Sequence, residues 1–228
     1  MQFSSKQKAL LQYLSDGDFH TGPELAISLN ISRSAIWKLI HALSELGIDI
    51  IALNAKGYRL NTSLELLDHQ VIMQALSVNA LAVLQRLELH DQIDSTSRYL
   101  SHLAHTHPEE GGVFCIAEQQ TEGRGRRGRP WISPFARNIY MSLLWRFDEG
   151  PASLSGLSLV IGVAVIRALK QQGIEEVGLK WPNDIYWQQK KLGGILLEVS
   201  GESTGPCSAV ICVGLNVDMS IDEAEAID

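Results

Sequence analysis

The chain has 228 residues, 45% of them hydrophobic, with 19 Lys plus Arg against 26 Asp plus Glu for a net charge of −7. At roughly 100 to 200 residues per domain, this length holds one large domain or two unequal ones, and the apolar share excludes a disordered, collagen-like or disulfide-scaffold chain. Cys115, Cys207 and Cys212 are an odd number set in apolar stretches, which points to free buried thiols in a reducing cytosol. Residues 1–15 lack the cationic start and unbroken apolar run of a secretory signal. The most apolar stretch, residues 157–169, is shorter than the roughly 18 residues of a membrane span and carries Arg167. A cytoplasmic chain with no membrane partner is expected.

The charge is unevenly spread. Residues 1–62 carry Lys6, Lys8, Arg33, Lys38, Lys56 and Arg59 against Asp16, Asp18, Glu24, Glu45 and Asp49, a net +1 that leaves −8 for the remainder. Within this near-neutral segment, residues 6–15 place Leu10, Leu11 and Leu14 on one helical face, stopped by Asp16, Gly17 and Asp18. Thr21, Pro23 and Glu24 supply a cap, a first-turn proline and a capping-box carboxylate for a short helix ending at residue 29. Ser32 caps a longer helix over 33–46, with Ile36, Leu39, Ile40 and Leu43 inward and Arg33, Ser34, Trp37, Lys38 and His41 outward. Gly47 ends it.

Two strand-like runs, 48–53 and 57–60, are joined by Asn54, Ala55 and Lys56 as a hairpin. Three helices and a hairpin make a winged helix-turn-helix, whose second motif helix enters the DNA major groove while the wing reaches the backbone. The candidate DNA contacts are Arg33, Ser34, Trp37 and Lys38 on the helix and Lys56 and Arg59 on the wing. The competing reading is a protein-interaction module with Trp37 partly in the core. A near-zero net charge is low for a lone DNA binder, so pairing of two such domains in a homodimer is expected.

Polar Thr62 and Ser63 mark a boundary that divides the chain into domains 1–62 and 63–228. A helical pattern covers 64–84. A strand-like run over 87–93 then delivers Asp94, Ser95, Thr96 and Ser97 to a helix over 98–104, where the hydroxyls can cap the helix or contact a ligand. His102, His105 and His107 straddle a helix end without acidic or Cys companions and read as solvated surface.

A buried strand over 113–118 empties into Gln119, Gln120 and the loop GRGRRGRPW, residues 123–131. Gly123, Gly125 and Gly128 formally spell a dinucleotide fingerprint. That fingerprint opens a helix, however, whereas this loop holds Arg124, Arg126, Arg127 and Arg129 and runs through Pro130 into a strand over 139–145. Glycines allow close folding around an anion and the guanidinium forks suit phosphate. Four mutually repelling arginines are expected to leave the loop mobile until a polyanion orders it. A nucleic-acid patch is the alternative, but placement between buried strands of an acidic domain favours a small phosphorylated ligand.

A long helix over 154–172 precedes a strand over 177–181. Pro182 breaks that strand and leaves Asn183 and Asp184 at its end, where a carboxylate could hold Mg2+, although Pro-Asn-Asp is also ordinary turn chemistry. Residues 185–187 and 192–199 form a hairpin around a polar turn, with Lys191 at its foot and Gly193 and Gly194 permitting close backbone approach.

GRGRRGRPW, KWPNDI, KKLGGILLE and VGLNV, in that order, resemble the biotin protein ligases. With the leading winged helix, the chain is similar to the bifunctional members that also repress the biotin operon. The resemblance implies an α+β fold: a winged helix, then a class II synthetase-like ligase domain with a mixed sheet and helices. Members of the family continue through the rest of the ligase domain into a small SH3-like domain, so the resemblance implies that the 63–228 ligase domain is incomplete at its C-terminus and that the SH3-like domain is missing. By motif, Ser95, Thr96, Gln120, Arg124 and Lys191 would bind biotin, with backbone from Gly123 and Gly194. Arg124, Arg126, Arg127, Arg129, Trp131, Asn183, Asp184 and Asn216 would hold ATP and the adenylate, with Asp184 toward Mg2+. Lys191, Arg126 and Asp184 would be catalytic. Ser97 stands where the family often has Asn.

The implied reaction forms biotinyl-AMP and transfers biotin to a lysine of biotin carboxyl carrier protein, a subunit of acetyl-CoA carboxylase. Biotinyl-AMP would also promote the homodimer that binds operator DNA. Two alternatives are a ligand-sensing regulator without ligase activity and a lipoate-type ligase.

Overall fold

The computed structural model describes residues 2–202 and 204–219. The chain divides into two compact units, Met1–Leu66 and Leu67–Asp228.

In the first unit, α1 (Ser5–Leu14), α2 (Gly22–Ser28) and α3 (Arg33–Glu45) precede an antiparallel hairpin of β1 (Ile50–Leu53) and β2 (Gly57–Leu60). The caps are those written in the sequence. Thr21 and Glu24 form a reciprocal capping box at α2, and the Ser32 side chain accepts from the Ala35 amide at α3. Leu10, Leu11, Leu14, Leu25, Ile36, Leu43 and Leu60 fill the core at 0–1% exposure. His20 extends the wing by exchanging two 2.9 Å backbone hydrogen bonds with Tyr58.

The second unit opens with a departure from the expected single helix over 64–84. Residues 63–68 are not helical, and two short helices follow, α4 (His69–Ala75) and α5 (Val78–Val83). Asp68 accepts from the Gln70 and Val71 amides, and Ser77 accepts from the Ala80 amide, so each side chain starts a new helix.

After β3 (Arg86–His90) come α6 (Thr96–Thr106), β4 (Val113–Ala117), β5 (Asn138–Phe147) and α7 (Leu157–Gln171). The strands β6 (Val177–Lys180), β7 (Asp184–Trp187), β8 (Lys190–Gly201) and β9 (Cys207–Asn216) follow. The expected helix over 154–172 is shorter. Pro151–Leu154 is a 3-10 turn, and Gly156, at φ +89°, separates it from α7. Pro151–Gln171 as a whole is long and apolar enough to cross a membrane by composition. Its α7 part packs Ile161, Val165, Ile166 and Leu169 against the sheet.

The seven strands run in the order β3-β4-β5-β9-β8-β7-β6. β3 and β4 are parallel, as their crossover through α6 requires, and every other pairing is antiparallel, which makes the sheet mixed. Alternation along β9 separates two cores. Ala209, Ile211, Val213 and Leu215 face the side covered by α7, whereas Val210 and Cys212 face α6 with Leu100, Val113, Cys115 and Leu144. The α6 core gathers at the Val210 end of β9, leaving the far end of that sheet face, around Gly214 and Gly194, without a covering helix. All three cysteines are free thiols.

Candidate functional site

On that uncovered face lies a cavity of about 310 Å³. Its inner end is lined by the buried hydroxyls of Ser95, Thr96 and Ser97 at the start of α6, at 1–3% exposure, with buried Ser142 of β5 behind Thr96. Ser95 occupies the N-cap position but makes no side-chain cap bond; its Oγ lies 3.0 Å from Ser97 Oγ. Of the two roles open to these hydroxyls, side-chain capping by Ser95 is therefore excluded. Thr96 donates from its amide (2.9 Å) and hydroxyl (3.1 Å) to Gln120 Oε1, and its Oγ1 lies 2.8 Å from Ser142 Oγ. Gln120 Nε2 donates to Ser133 Oγ at 3.2 Å. Cys212 lies beside this cluster, its thiol pushed up to about 12 by burial, so it acts as a neutral packing group.

The arginine loop forms one wall. Gly125 donates to the Arg129 carbonyl at 2.7 Å and Trp131 to the Gly123 carbonyl at 2.8 Å, closing a tight hairpin around a 3-10 turn, Arg126–Gly128. A Cβ on Gly123 would stand 2.4 Å from the Trp131 carbonyl oxygen, so this root admits only glycine. No α-helix follows, as the rejection of a dinucleotide fingerprint requires.

Two of the four mutually repelling arginines have partners. Arg124 Nη2 donates to Ser97 Oγ (3.1 Å) and pairs with Glu198 at 3.4 Å. Arg126 donates to Asn183 Oδ1 at 2.5 Å, while Asn183 Nδ2 donates to the Ile195 carbonyl at 2.9 Å. Arg127 and Arg129 remain exposed at the cavity mouth. Glu198, which also accepts from Ser101 Oγ at 3.1 Å, was not singled out in the sequence. Nor was Arg98, which ties Asp94 (2.8 Å) to Glu122 (2.7 Å) at the loop root. Burial would raise the Asp94 carboxyl, but the Ser95 amide and the Arg98 guanidinium outweigh it and hold it below its ordinary range.

At the other end, the β7/β8 ladder shifts register between Ile185 and Tyr186: Ile185 pairs with Gly193, but Tyr186 pairs with Lys191. Leu192 is thus an extra residue. Strict alternation would send Lys191 to the α7 side with Ile195, and the bulge turns it to the cavity side with Gly194. There Lys191 Nζ sits 3.1 Å from Asp184 Oδ1 and 5.5 Å from the centre of the Trp131 ring. The indole lies flat on Gly214, where a Cβ would approach it to 2.6 Å. Its buried Nε1 and the buried Nε of Arg124 have no hydrogen-bond partner.

Most of the expected site residues converge here. Ser95, Thr96, Gln120, the four arginines, Trp131, Asn183, Asp184, Lys191 and Gly194 all line the cavity, with Ser97 and Cys212. Gly123 and Asn216 do not line it. Asn216 lies two residues beyond Gly214 on the same strand face and presents a buried, unpartnered Oδ1. Among the described residues, Asp184 is the one carboxylate against five cationic side chains in the lining. His102 and His105 are exposed on α6 and His107 just beyond its end.

In the first unit, Arg33, Ser34, Trp37, Lys38 and Lys56 are exposed. Trp37, at 58% exposure, is not part of the core. Arg59, the other wing candidate, is partly buried, with its guanidinium 5.0 Å above the Phe19 ring and its Nε buried.

Comparison with known proteins places this geometry. Residues 89–218 match the biotin/lipoate A/B protein ligase family and residues 6–59 match an HTH domain. The chain is 41% identical over 219 residues to the bifunctional ligase/repressor BirA of Escherichia coli (strain K12), covering 96% of this chain and 66% of that protein. It is 33% identical to BirA of Bacillus subtilis (strain 168), covering 94% and 66%. The chain thus spans just under two thirds of the length of these relatives. The structure of biotin protein ligase from Aquifex aeolicus in complex with biotin and ATP matches with a TM-score of 0.50 at 32% identity, covering 62% of this chain and 57% of that one. The chain belongs to the biotin/lipoate A/B protein ligase family, with an HTH domain ahead of its ligase domain.

Proposed function

We propose that the second unit activates the carboxylate of biotin with ATP and passes the biotinyl group to a lysine of a biotin carboxyl carrier protein. The observation that carries this reading is the polarity of the cavity. Its inner end is neutral and rich in hydrogen-bonding groups, and its mouth is cationic. The ureido ring of biotin has a carbonyl acceptor and two N–H donors to match Ser95, Thr96, Ser97 and Gln120. The dithiolane of lipoate has no such groups and would make no hydrogen bond with these side chains, so the polar inner end favours the ureido ring.

A carboxylate oxygen of biotin attacks the α-phosphorus of ATP and pyrophosphate departs. An amine of the carrier lysine then attacks the acyl carbon, AMP leaves, and the amine loses a proton. The first step brings two anions together, so positioning and charge neutralisation dominate it. Lys191 supplies an ammonium at the carboxylate and bridging oxygen. Arg126, Arg127 and Arg129 take phosphate oxygens, and Trp131 and Asn216 face the nucleotide. Arg124, already neutralised by Glu198, acts mainly on the biotin side through Ser97, with backbone from Gly123 and Gly194. Mg2+ fits only as a phosphate-borne ion, because Asp184 is the one carboxylate in the lining and no group of three or more His, Cys, Asp or Glu side chains lies together among the described residues.

The first unit is read as binding operator DNA through α3 and the wing, in a homodimer promoted by biotinyl-AMP and acting in the cytoplasm. The cation-bearing face of α3, free of carboxylates as far as Glu45, supports this. Incubation with biotin, ATP and a carrier domain tests the ligase reading by intact mass: a gain of one biotinyl group on the carrier supports it, and an unmodified carrier contradicts it.

A further inference from the structure

We propose that Trp37 reads the 5-methyl group of thymine in the DNA major groove, with His41 holding the indole in place for that contact. This inference rests on the DNA-binding reading of the first unit and assigns the base chemistry that α3 recognises.

The inward face of α3 is spent on Ile36, Ile40 and Leu43, all buried. The opposite face carries Arg33, Ser34, Trp37, Lys38 and His41, and Trp37 is its one large apolar side chain. The indole is 58% exposed and lies outside the core of this unit, on the same face as the cations Arg33 and Lys38. It is also held: the Trp37 and His41 rings stack with centroids 5.4 Å apart and planes 11° apart, and Glu45 Oε1 lies 3.4 Å from His41 Nε2. A ring stacked on its neighbour in this way has less freedom to lose on binding than an unsupported one.

An indole has one N–H and no acceptor, so it cannot form the paired hydrogen bonds by which Arg or Asn side chains identify bases. What it offers is apolar area. Among base edges in the major groove, the methyl group of thymine is the apolar partner, while the other edges present donors and acceptors. Arg33 and Lys38, on either side of Trp37 in sequence, supply charge toward the flanking phosphates.

The test uses the intact chain with biotin and ATP to select duplexes from a randomised pool, after which each thymine of the selected duplex is replaced in turn by deoxyuridine. We expect one thymine position per site at which loss of the methyl group weakens binding by roughly three- to tenfold. Trp37→Ala should bind the thymine and deoxyuridine duplexes equally, Trp37→Phe should keep part of the difference, and thermal unfolding of both variants should match the parent. Equal binding of both duplexes by the parent, or discrimination that survives Trp37→Ala, overturns the thymine assignment and leaves DNA binding standing. No enrichment from the pool overturns both and gives this face to a protein partner.

Discussion

The ammonium of Lys191 and the carboxylate of Asp184 stand 3.1 Å apart on adjacent strands, brought to one face of the sheet by the bulge at Leu192. Neither side chain is deeply buried, at 32% and 27% exposure, so the pair remains open to a third charged group. A substrate carboxylate entering beside Lys191 would share that ammonium with Asp184. Lys191→Ala should lower biotinyl-AMP formation by roughly 100- to 1000-fold, the cost of removing one well-placed charge at a displacement centre. Pyrophosphate release measures it. Because the side chain is part-exposed, the unfolding temperature should stay near that of the parent, and full activity would remove Lys191 from the chemistry.

Glu198 and Arg124 give a separate expectation. Glu198→Gln removes the countercharge that aims Arg124 at Ser97 and should weaken biotin binding by up to roughly fivefold, as expected for a part-exposed pair. Calorimetric titration of biotin and of ATP separates the two ends of the cavity, since ATP affinity should fall less than biotin affinity.

Gly214 supports Trp131 directly. Gly214→Ala would place a methyl group 2.6 Å from the indole and should cost about 1–3 kcal/mol of stability by overpacking. Because the indole cannot move without leaving the cavity floor, the variant should also release its adenylate faster than the parent. Thermal unfolding and retention of labelled adenylate check the two halves of this expectation.

His90 carries a pH dependence. Burial lowers its pKa, against a partial opposing effect of Glu88, and its ring packs edge-on to Tyr99 at 5.2 Å. With the folded pKa below the unfolded value of about 6.5, the unfolded chain binds the extra proton. The contribution of His90 is therefore complete above pH ~6.5 and is lost as pH falls below it. His90→Phe should flatten the acid side of the curve of unfolding temperature against pH, and parallel curves for variant and parent would contradict the assignment.

Much of the site was legible because its chemistry sits in short local patterns. GRGRRGRPW, Pro182-Asn183-Asp184 and the Ser95-Thr96-Ser97 run each declare donors or charges beside a strand end, and the capping boxes of the first unit are written in adjacent residues. What stayed hidden depends on register and on partners distant in sequence. Glu198 lies in an apolar strand and looks like any outward carboxylate until β8 pairs beside β9 and brings it under Arg124. The arginine loop reads as repulsive because the amide that takes up Arg126, Asn183, and the carboxylate that neutralises Arg124, Glu198, are 57 and 74 residues away in sequence. The break between α4 and α5 is invisible in the apolar spacing, which continues through Ser77, whose side chain starts a new helix.

The most direct test is whether the chain forms an acyl adenylate, and from which acid. Purified chain is incubated with ATP labelled at the α-phosphate and with either biotin or lipoate, and labelled adenylate is resolved chromatographically. Biotin should yield a protein-bound biotinyl-AMP, lost in Lys191→Ala, while lipoate yields none. Equal adenylation of both acids, or labelled product from neither, would contradict the assignment of the polar inner cavity to the ureido ring.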